Sequence, residues 1–345
     1  MKLLWTFLLI GLLGAAQAIR PIDPLIQQVT VDPSAILVPQ DDIIGAVNSE
    51  PSATWVAGEN ERLEGFTVDD LKVLCGSKAG DPNALPLAKP LTLKRSHHPD
   101  VELPKNFDPR QKWPSCPSLS AIRDQGHCGS CWAFGAVEVL TDRFCIAGHE
   151  NVTLSTNDLL SCCGFECGDG CEGGWPERAW EYFERSGVVS EQCDPYFDTV
   201  PCKHPGCGPV KPTPKCVRGC KDDELWGDSK HYAANVYTVG PDVEDLQKEL
   251  FLNGPIEVAF TVYQDFAHYK SGVYKHLYGG VLGGHAVKLM GWGTTDDGVD
   301  YWLIANSWGY GWGEDGYFRI VRGENECGIE GEAVTGLPSV KKVVV

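Results

Sequence analysis

The sequence predicts an α+β fold of two lobes with a cleft between them. Three observations carry this. Helical patterning is concentrated between residues 107 and 183, strand patterning begins at about Asn235, and fourteen of the fifteen cysteines lie from Cys116 onward, so the cross-linked body starts well inside the chain. Helices first and strands second give segregated layers rather than alternating βαβ units. With 345 residues, 43% hydrophobic and 22% charged, the chain can bury a sizeable core in one or two domains.

From the N-terminus, Met1-Lys2 leads into an apolar run, Leu3 to Ala15, and then Ala16-Gln17-Ala18. A charged start, an apolar stretch and a small-x-small site predict a secretory signal over residues 1–18. No later run approaches the roughly 20 apolar residues that a membrane span needs. Residues 19–102 are rich in Pro, Asp and Ala and read as a removable pro-segment. Its one expected helix lies in "FTVDDLKVLCG", with Thr67 as cap and Leu71, Val73 and Leu74 as the apolar side.

The next element, "SCWAFGAVEVLTDRFCIAG", starts at a capping Ser130 and closes near a glycine. It is apolar nearly all round, so it is expected to be buried. "PERAWEYFERSG" follows, with Pro early and Gly at its close. Cys193 to Cys220 is an irregular loop region rich in Pro and Gly. The runs "IEVAFTVY", "AVKLMGWG", "YWLIANSWG" and "GYFRIVRG" are rich in Val, Ile and aromatics and broken by Gly, which predicts strands. Residues 337–345 are expected to be a short tail.

Composition also sets the chemistry. A net charge of −18 excludes a phosphate-backbone partner, which would want a basic stripe. Fifteen cysteines behind a signal favour disulfides over metal, and the odd count leaves at least one thiol free. In "QGHCGSCWAFG" the helix begins between the two cysteines. Cys131 thereby falls in the first turn, where peptide dipoles and unpaired N–H groups favour a thiolate, while Cys128 lies outside the helix. A redox dithiol and a structural zinc site remain alternative readings of this pattern.

A thiolate nucleophile needs a base. Among nine histidines His285 stands out, because "GGHAVKLMGWGTTDDGVDYWLIANSWG" reads as two strands joined by a polar turn. A hairpin centred between Thr295 and Asp296 sets His285 opposite Asn306, whose side-chain oxygen would fix the imidazole tautomer. Gly283 and Gly284 leave room for another chain to approach the histidine.

The blocks "QGHCGSCWAFG", "GGHAVKLMGWG" and "NSWGYGWGEDGYF" resemble the signature blocks of papain-like cysteine peptidases. "LPKNFDPRQKWPSCP", "CCGFECGDGCEGGWP", "NGPIEVAFTVYQDFAHYKSGVY" and "CGIEGE" resemble the cathepsin B branch of that family. The resemblance implies a peptidase domain over residues 103–336, with a central-helix lobe first and a β-barrel-like lobe from about residue 235. It implies Cys131 as nucleophile, His285 as base and acid, Asn306 as its orienting residue, and Gln125 as oxyanion donor together with the Cys131 N–H. Trp308 would shield the Asn-His bond, Gly173 and Gly174 would pair with the substrate backbone, and Glu332 would lie at the base of a pocket that accepts Arg. A thiolate-imidazolium pair would exist before substrate arrives.

The same resemblance implies the pairs Cys116-Cys145, Cys128-Cys171, Cys162-Cys216, Cys163-Cys167, Cys193-Cys220 and Cys202-Cys207, which spacing alone does not select. It implies peptide and protein substrates, inhibition by the chain's own pro-segment and by cystatin-type inhibitors, a monomer, and no cofactor or metal. Asn151-Val152-Thr153 offers a glycan acceptor. The expected destination is the secretory pathway, ending in a lysosome, a vacuole or the extracellular space.

One departure concerns "CKHPGC", which carries a single histidine, His204, where cathepsin B has two that hold the substrate carboxylate. His204 would pair with Asp124. Endopeptidase activity is expected, with removal of C-terminal dipeptides left open. A disulfide oxidoreductase and a catalytically silent binding protein of the same fold are the competing classes. The run Gly311, Gly313, Gly316 spells G-x-G-x-x-G but leads into strand-like "YFRIV", so a dinucleotide reading fails.

Overall fold

The computed structural model describes residues 38–79, 97–198 and 210–339, together with the backbone of residues 94 and 95. The expected signal 1–18, most of the final tail, and His204, Cys202 and Cys207 lie outside the described residues.

The N-terminal segment holds more structure than the single expected helix. Helix α1 spans Asp41–Ser49, strand β1 Trp55–Ala57 and helix α2 Val68–Leu74. In α1 the buried Ile43 and Val47, one turn apart, form the inward edge. Thr67 caps α2 through a full capping box: its hydroxyl accepts the Asp70 N–H, and the Asp70 carboxylate accepts the Thr67 N–H at 2.7 Å. Leu71 and Leu74 are fully buried, whereas Val73 is half-buried. A two-residue strand, β2 (Lys94–Arg95), follows.

After α3 (Pro109–Lys112), helices α4 (Cys131–Ile146), α5 (Thr156–Cys162) and α6 (Pro176–Arg185) build the helical lobe. Every residue of α4 from Cys131 to Phe144 is buried, as its all-round apolar surface predicts. Ser130 precedes α4 but does not cap it. Its hydroxyl bonds Tyr196 at 2.8 Å, because the buried phenol offers a partner that the helix end does not. Trp132, Phe134, Leu140 and Phe144 of α4 pack with Leu159, Trp180 and Phe183 into one core.

The second lobe is a sheet with one interposed helix. Strands β3 (Tyr232–Val239), β4 (Ile256–Tyr263), β5 (Tyr269–Tyr274), β6 (Val281–Thr294), β7 (Asp300–Ala305), β8 (Tyr317–Val321) and β9 (Glu332–Ser339) join β1 and β2, with α7 (Val243–Asn253) between β3 and β4. The strand order is β1-β5-β8-β7-β6-β4-β9-β3-β2. The sheet is therefore open rather than the barrel-like lobe expected. Its would-be closing edges, β5 and β3, pair instead with β1 and β2 from the N-terminal part of the chain. The expected tail also starts later than residue 337, since Leu337, Pro338 and Ser339 pair with Ala234, Ala233 and Tyr232.

The sheet core takes in the N-terminal segment. Trp55, Leu63, Phe66, Leu71 and Leu74 pack with residues such as Phe260, Trp308 and Phe318. Five of the six expected disulfides join described cysteines: Cys116-Cys145, Cys128-Cys171, Cys162-Cys216, Cys163-Cys167 and Cys193-Cys220. Cys75, Cys131 and Cys327 are free.

Candidate active site

Cys131 is the first residue of α4 and is fully buried. It shares a small cluster with Ala259 of β4 and Ala286 of β6, so the helix start meets the sheet lobe at this sulfur. His285, next to Ala286, is also fully buried. Its Nε2 bonds Asn306 Oδ1 at 2.8 Å, and Ser307 N–H donates to the same oxygen at 2.8 Å. That bond assigns the proton to Nε2 and leaves Nδ1, which faces the Leu74 carbonyl, as the basic nitrogen. Trp308 lies against the imidazole at 5.0 Å between ring centres, and both rings are buried.

The hairpin that carries these residues differs from the expected one. Its turn is closed by Thr295 N–H to Val299, and the ladder pairs Trp292 with Trp302 and Lys288 with Ala305, with a bulge at Met290. Strict strand register would not set residue 285 opposite 306. The two meet because Asn306 lies just past the end of β7, where the chain leaves the ladder and its side chain reaches back.

Gln125, six residues before Cys131, is fully buried. Its Oε1 accepts Ser307 Oγ–H at 2.8 Å, which orients the amide, and its Nε2 donates to the carbonyls of Cys128 at 2.8 Å and Leu74 at 3.0 Å. Leu74 belongs to the N-terminal segment, so a segment carbonyl takes the donor expected to face an oxyanion.

The segment continues through the cleft as an extended chain. Gly174 N–H donates to Gly76 O at 2.9 Å, Lys78 N–H to Gly174 O at 2.9 Å, and Ser77 N–H to Gly284 O at 2.9 Å. These contacts require bare backbone on both sides. A Cβ on Gly173, at φ +102°, would lie 2.6 Å from Gly76 O, and one on Gly284 would lie 2.4 Å from Ser77 O. A Cβ on Gly76 itself would come within 1.9 Å of Gly129 O.

This cover changes the electrostatics. Burial pushes the Cys131 thiol up to about 12, although backbone N–H groups of Ala286, Gly76 and Trp132 oppose the shift. Burial also lowers His285 to about 4, with Asn306 and the Leu74 carbonyl partly offsetting it. In this covered form burial favours the neutral state of each group, because water is excluded from both.

Asp124 meets a partner that was not foreseen. Arg62 of the segment grips it with two bonds, Nε to Oδ2 at 2.7 Å and Nη2 to Oδ1 at 2.8 Å. The signal was a lone cation in the acidic run "GENERLEG". Ser307 and Gly76 were also missed, although Ser307 adjoins Asn306, which was already singled out. Glu332 opens β9, exposed, as the cross-strand partner of Ala259. Partial desolvation raises its carboxyl. Asn151 is exposed. Cys128 is bonded to Cys171 and not to Cys131, which removes the oxidoreductase reading. The cysteines of "CCGFECGDGC" are all bridged, which removes the zinc reading.

A thiol at a helix start, an imidazole fixed by an amide, and a chain lying between two lobes define a cysteine protease in its covered form. The family model described as "Papain family cysteine protease" matches residues 103–337, and the chain belongs to that family. Within it the chain is similar to "Cathepsin B-like protease 1" of Arabidopsis thaliana, 51% identical over 89% of this chain and 86% of the relative. It is 43% identical to "Cathepsin B-like cysteine proteinase 6" of Caenorhabditis elegans, over 91% of this chain and 87% of the relative. Among solved structures, "proCathepsin B S9 from Trypanosoma congolense" matches with TM-score 0.76 and 36% identity, covering 87% of this chain and 98% of that one. The chain is a cathepsin B-like cysteine protease, and its solved neighbour is a proform.

Proposed function

We propose that the protein is a zymogen whose cleft, once residues 19–102 leave, hydrolyses peptide bonds through an acyl-enzyme on Cys131. His285 Nδ1 takes the thiol proton, the thiolate attacks the carbonyl, and the imidazolium returns the proton to the leaving amine. Water then enters, activated by the same nitrogen, and releases the acid. Asn306 holds the imidazole, and Trp308 keeps water from their bond. Gln125 Nε2 and the Cys131 N–H stabilise the tetrahedral oxyanion, donors typically worth about 3 kcal/mol each. The observation that carries this reading is the His285–Asn306 bond, which leaves Nδ1 as the base, together with a buried thiol at a helix start that packs against Ala286, the residue next to His285.

Endopeptidase activity follows from an extended cleft between two lobes. Removal of C-terminal dipeptides depends on the loop that holds His204, which has one histidine to bind a carboxylate. The signal-like residues 1–18, the disulfides and the exposed Asn151 sequon fit a glycosylated monomer of the secretory pathway, bound for a lysosome, a vacuole or the outside of the cell. Such a cleft would be open to cystatin-type inhibitors. No helix among the described residues is long and apolar enough to cross a membrane. The test is to process the precursor at acidic pH, label it with a peptidyl epoxide and map the adduct. One label per molecule at Cys131, with activity lost in Cys131→Ser, is expected. Label elsewhere, or an active Cys131→Ser protein, sinks the assignment.

A further inference from the structure

Tyr196 lies early in the loop region that the Cys193-Cys220 disulfide closes, and it is buried. Its ring stands edge-on to Phe134 of α4, with 4.8 Å between ring centres. The phenol oxygen is 2.9 Å from the Gln125 carbonyl oxygen and 2.8 Å from Ser130 Oγ. A carbonyl can only accept, so the single phenolic hydrogen goes to Gln125 and the Ser130 hydroxyl donates to the phenol oxygen. Burial pushes the phenol above its ordinary range, which keeps that hydrogen in place.

The two bonds reach the two groups assigned as oxyanion donors. Gln125 carries one of them, Nε2. Ser130 shares a peptide unit with the other, the Cys131 N–H. Between them runs Gly126-His127-Cys128-Gly129, a stretch with a glycine at each end and Gly126 at φ +64°, so its own backbone fixes the spacing only loosely. Ser307 holds Gln125 from the sheet lobe, accepting its N–H at 2.9 Å and donating to Oε1 at 2.8 Å. Tyr196 holds the remaining backbone group from the helical lobe. Its own N–H donates to Glu191 Oε1 at 2.8 Å, and Glu191 Oε2 accepts from Arg123 Nη2 at 2.8 Å. Asp198 accepts the His127 N–H at 3.0 Å. The chain from Glu191 to Asp198 thus grips residues 123, 125 and 127, alternate positions of the stretch that leads to the thiol.

We propose that Tyr196 is a positioning residue for the oxyanion: one phenol, bonded to Gln125 and to Ser130, sets the spacing between Gln125 Nε2 and the Cys131 N–H. The proposal rests on the reading of those two groups as oxyanion donors and extends it. Donors that answer a developing charge must be aligned before it forms, and a misplacement of about half an ångström forfeits much of their effect. The ground-state carbonyl carries little charge, so substrate binding depends on the alignment far less than the chemical step does.

The experiment is Tyr196→Phe in the matured enzyme, which keeps the ring against Phe134 and removes only the two bonds. On a peptidyl aminomethylcoumarin kcat is expected to fall about tenfold with KM held within about twofold, against roughly a hundredfold in kcat for a donor removed outright, as in Gln125→Ala. A peptidyl aldehyde forms a tetrahedral adduct on the thiol with an oxygen in the same position, and should bind about tenfold more weakly. Dipyridyl disulfide reacts at sulfur and forms no oxyanion, so it should label Cys131 within about twofold of the wild-type rate. Added to Gln125→Ala, Tyr196→Phe should cost at most about threefold more, since one of the positioned donors is already gone. Ser130→Ala breaks one bond and leaves the other; it should give the same selective loss at about threefold, and it carries the comparison if Tyr196→Phe fails to mature. Equal losses toward substrate, aldehyde and disulfide make Tyr196 merely structural and overturn the proposal. Unchanged kcat in Tyr196→Phe and Ser130→Ala beside an impaired Gln125→Ala overturns it too, and leaves the donor reading standing. Unchanged kcat in Gln125→Ala overturns the donor reading itself.

Discussion

Helix α4 places buried titratable groups near both its ends, and their neighbours have settled them in opposite charge states. At the first residue, Cys131 and His285 are both shifted toward their neutral forms. About three turns on, Arg143 and Glu249 are equally buried yet ionised, with Glu249 lowered to about 2 despite its burial, because Arg143 lies opposite it. The difference lies in what answers the charge. Glu249 accepts from Arg143 at 2.7 Å and Tyr237 at 2.7 Å, and His98 closes on its other oxygen at 2.5 Å. Cys131 meets only backbone N–H groups, and His285 only an amide and a carbonyl. A site that must react is left without an internal counterion, so its charge state is decided by whether water can reach it.

The sharpest way to break this comparison is to measure the thiol directly. Iodoacetamide at pH 6 should alkylate Cys131 roughly a thousandfold more slowly in the covered chain than after removal of the segment, since the thiolate is what reacts. Equal rates, read by intact mass against time, would mean that the cover does not control ionisation.

A smaller effect is expected at the far end. Glu249→Gln leaves Arg143 buried without its counter-charge and should cost about 3 kcal/mol of stability. The urea midpoint reports this, while the number of active sites that a peptidyl epoxide titrates in the refolded, matured enzyme stays the same. An unshifted midpoint would show that the clamp contributes little.

The third test uses pH, and the two ends have different windows. Glu249 is depressed in the fold, so its contribution is complete above the ordinary carboxyl value near 4.5 and is lost as pH falls toward 2, on the order of 3 kcal/mol in all. His285 is a base lowered from 6.5 to about 4. Acid therefore favours any state in which it is solvated, and the cover weakens as pH drops from 6.5 to 4. In Cys131→Ser protein, amide exchange at residues 74–78, corrected for intrinsic rates, should accelerate across that interval while exchange in α7 does not. Parallel acceleration of both regions would erase the distinction.

Much of the catalytic geometry was legible because its signals are local. "SCWAF" sets Cys131 at a helix start, and two apolar runs around a polar turn bring His285 near Asn306. The register was not legible, since the bulge at Met290 and the departure of Asn306 from the ladder depend on packing rather than on strand alternation. The open sheet was missed for a similar reason. Nothing local in "TWVAG" states that Trp55 will pair with Gly272, more than two hundred residues away. The grip of Arg62 on Asp124 joins two stretches that are unremarkable when read separately.

Gly76 shows how little stands between restraint and attack. Adding one carbon there would press against the Gly129 carbonyl, which a disulfide-anchored stretch holds in place, so the added methyl has nowhere to go. Alanine at this position would wedge the covering chain out of its track. The safety catch of the molecule is an empty space the size of a methyl group.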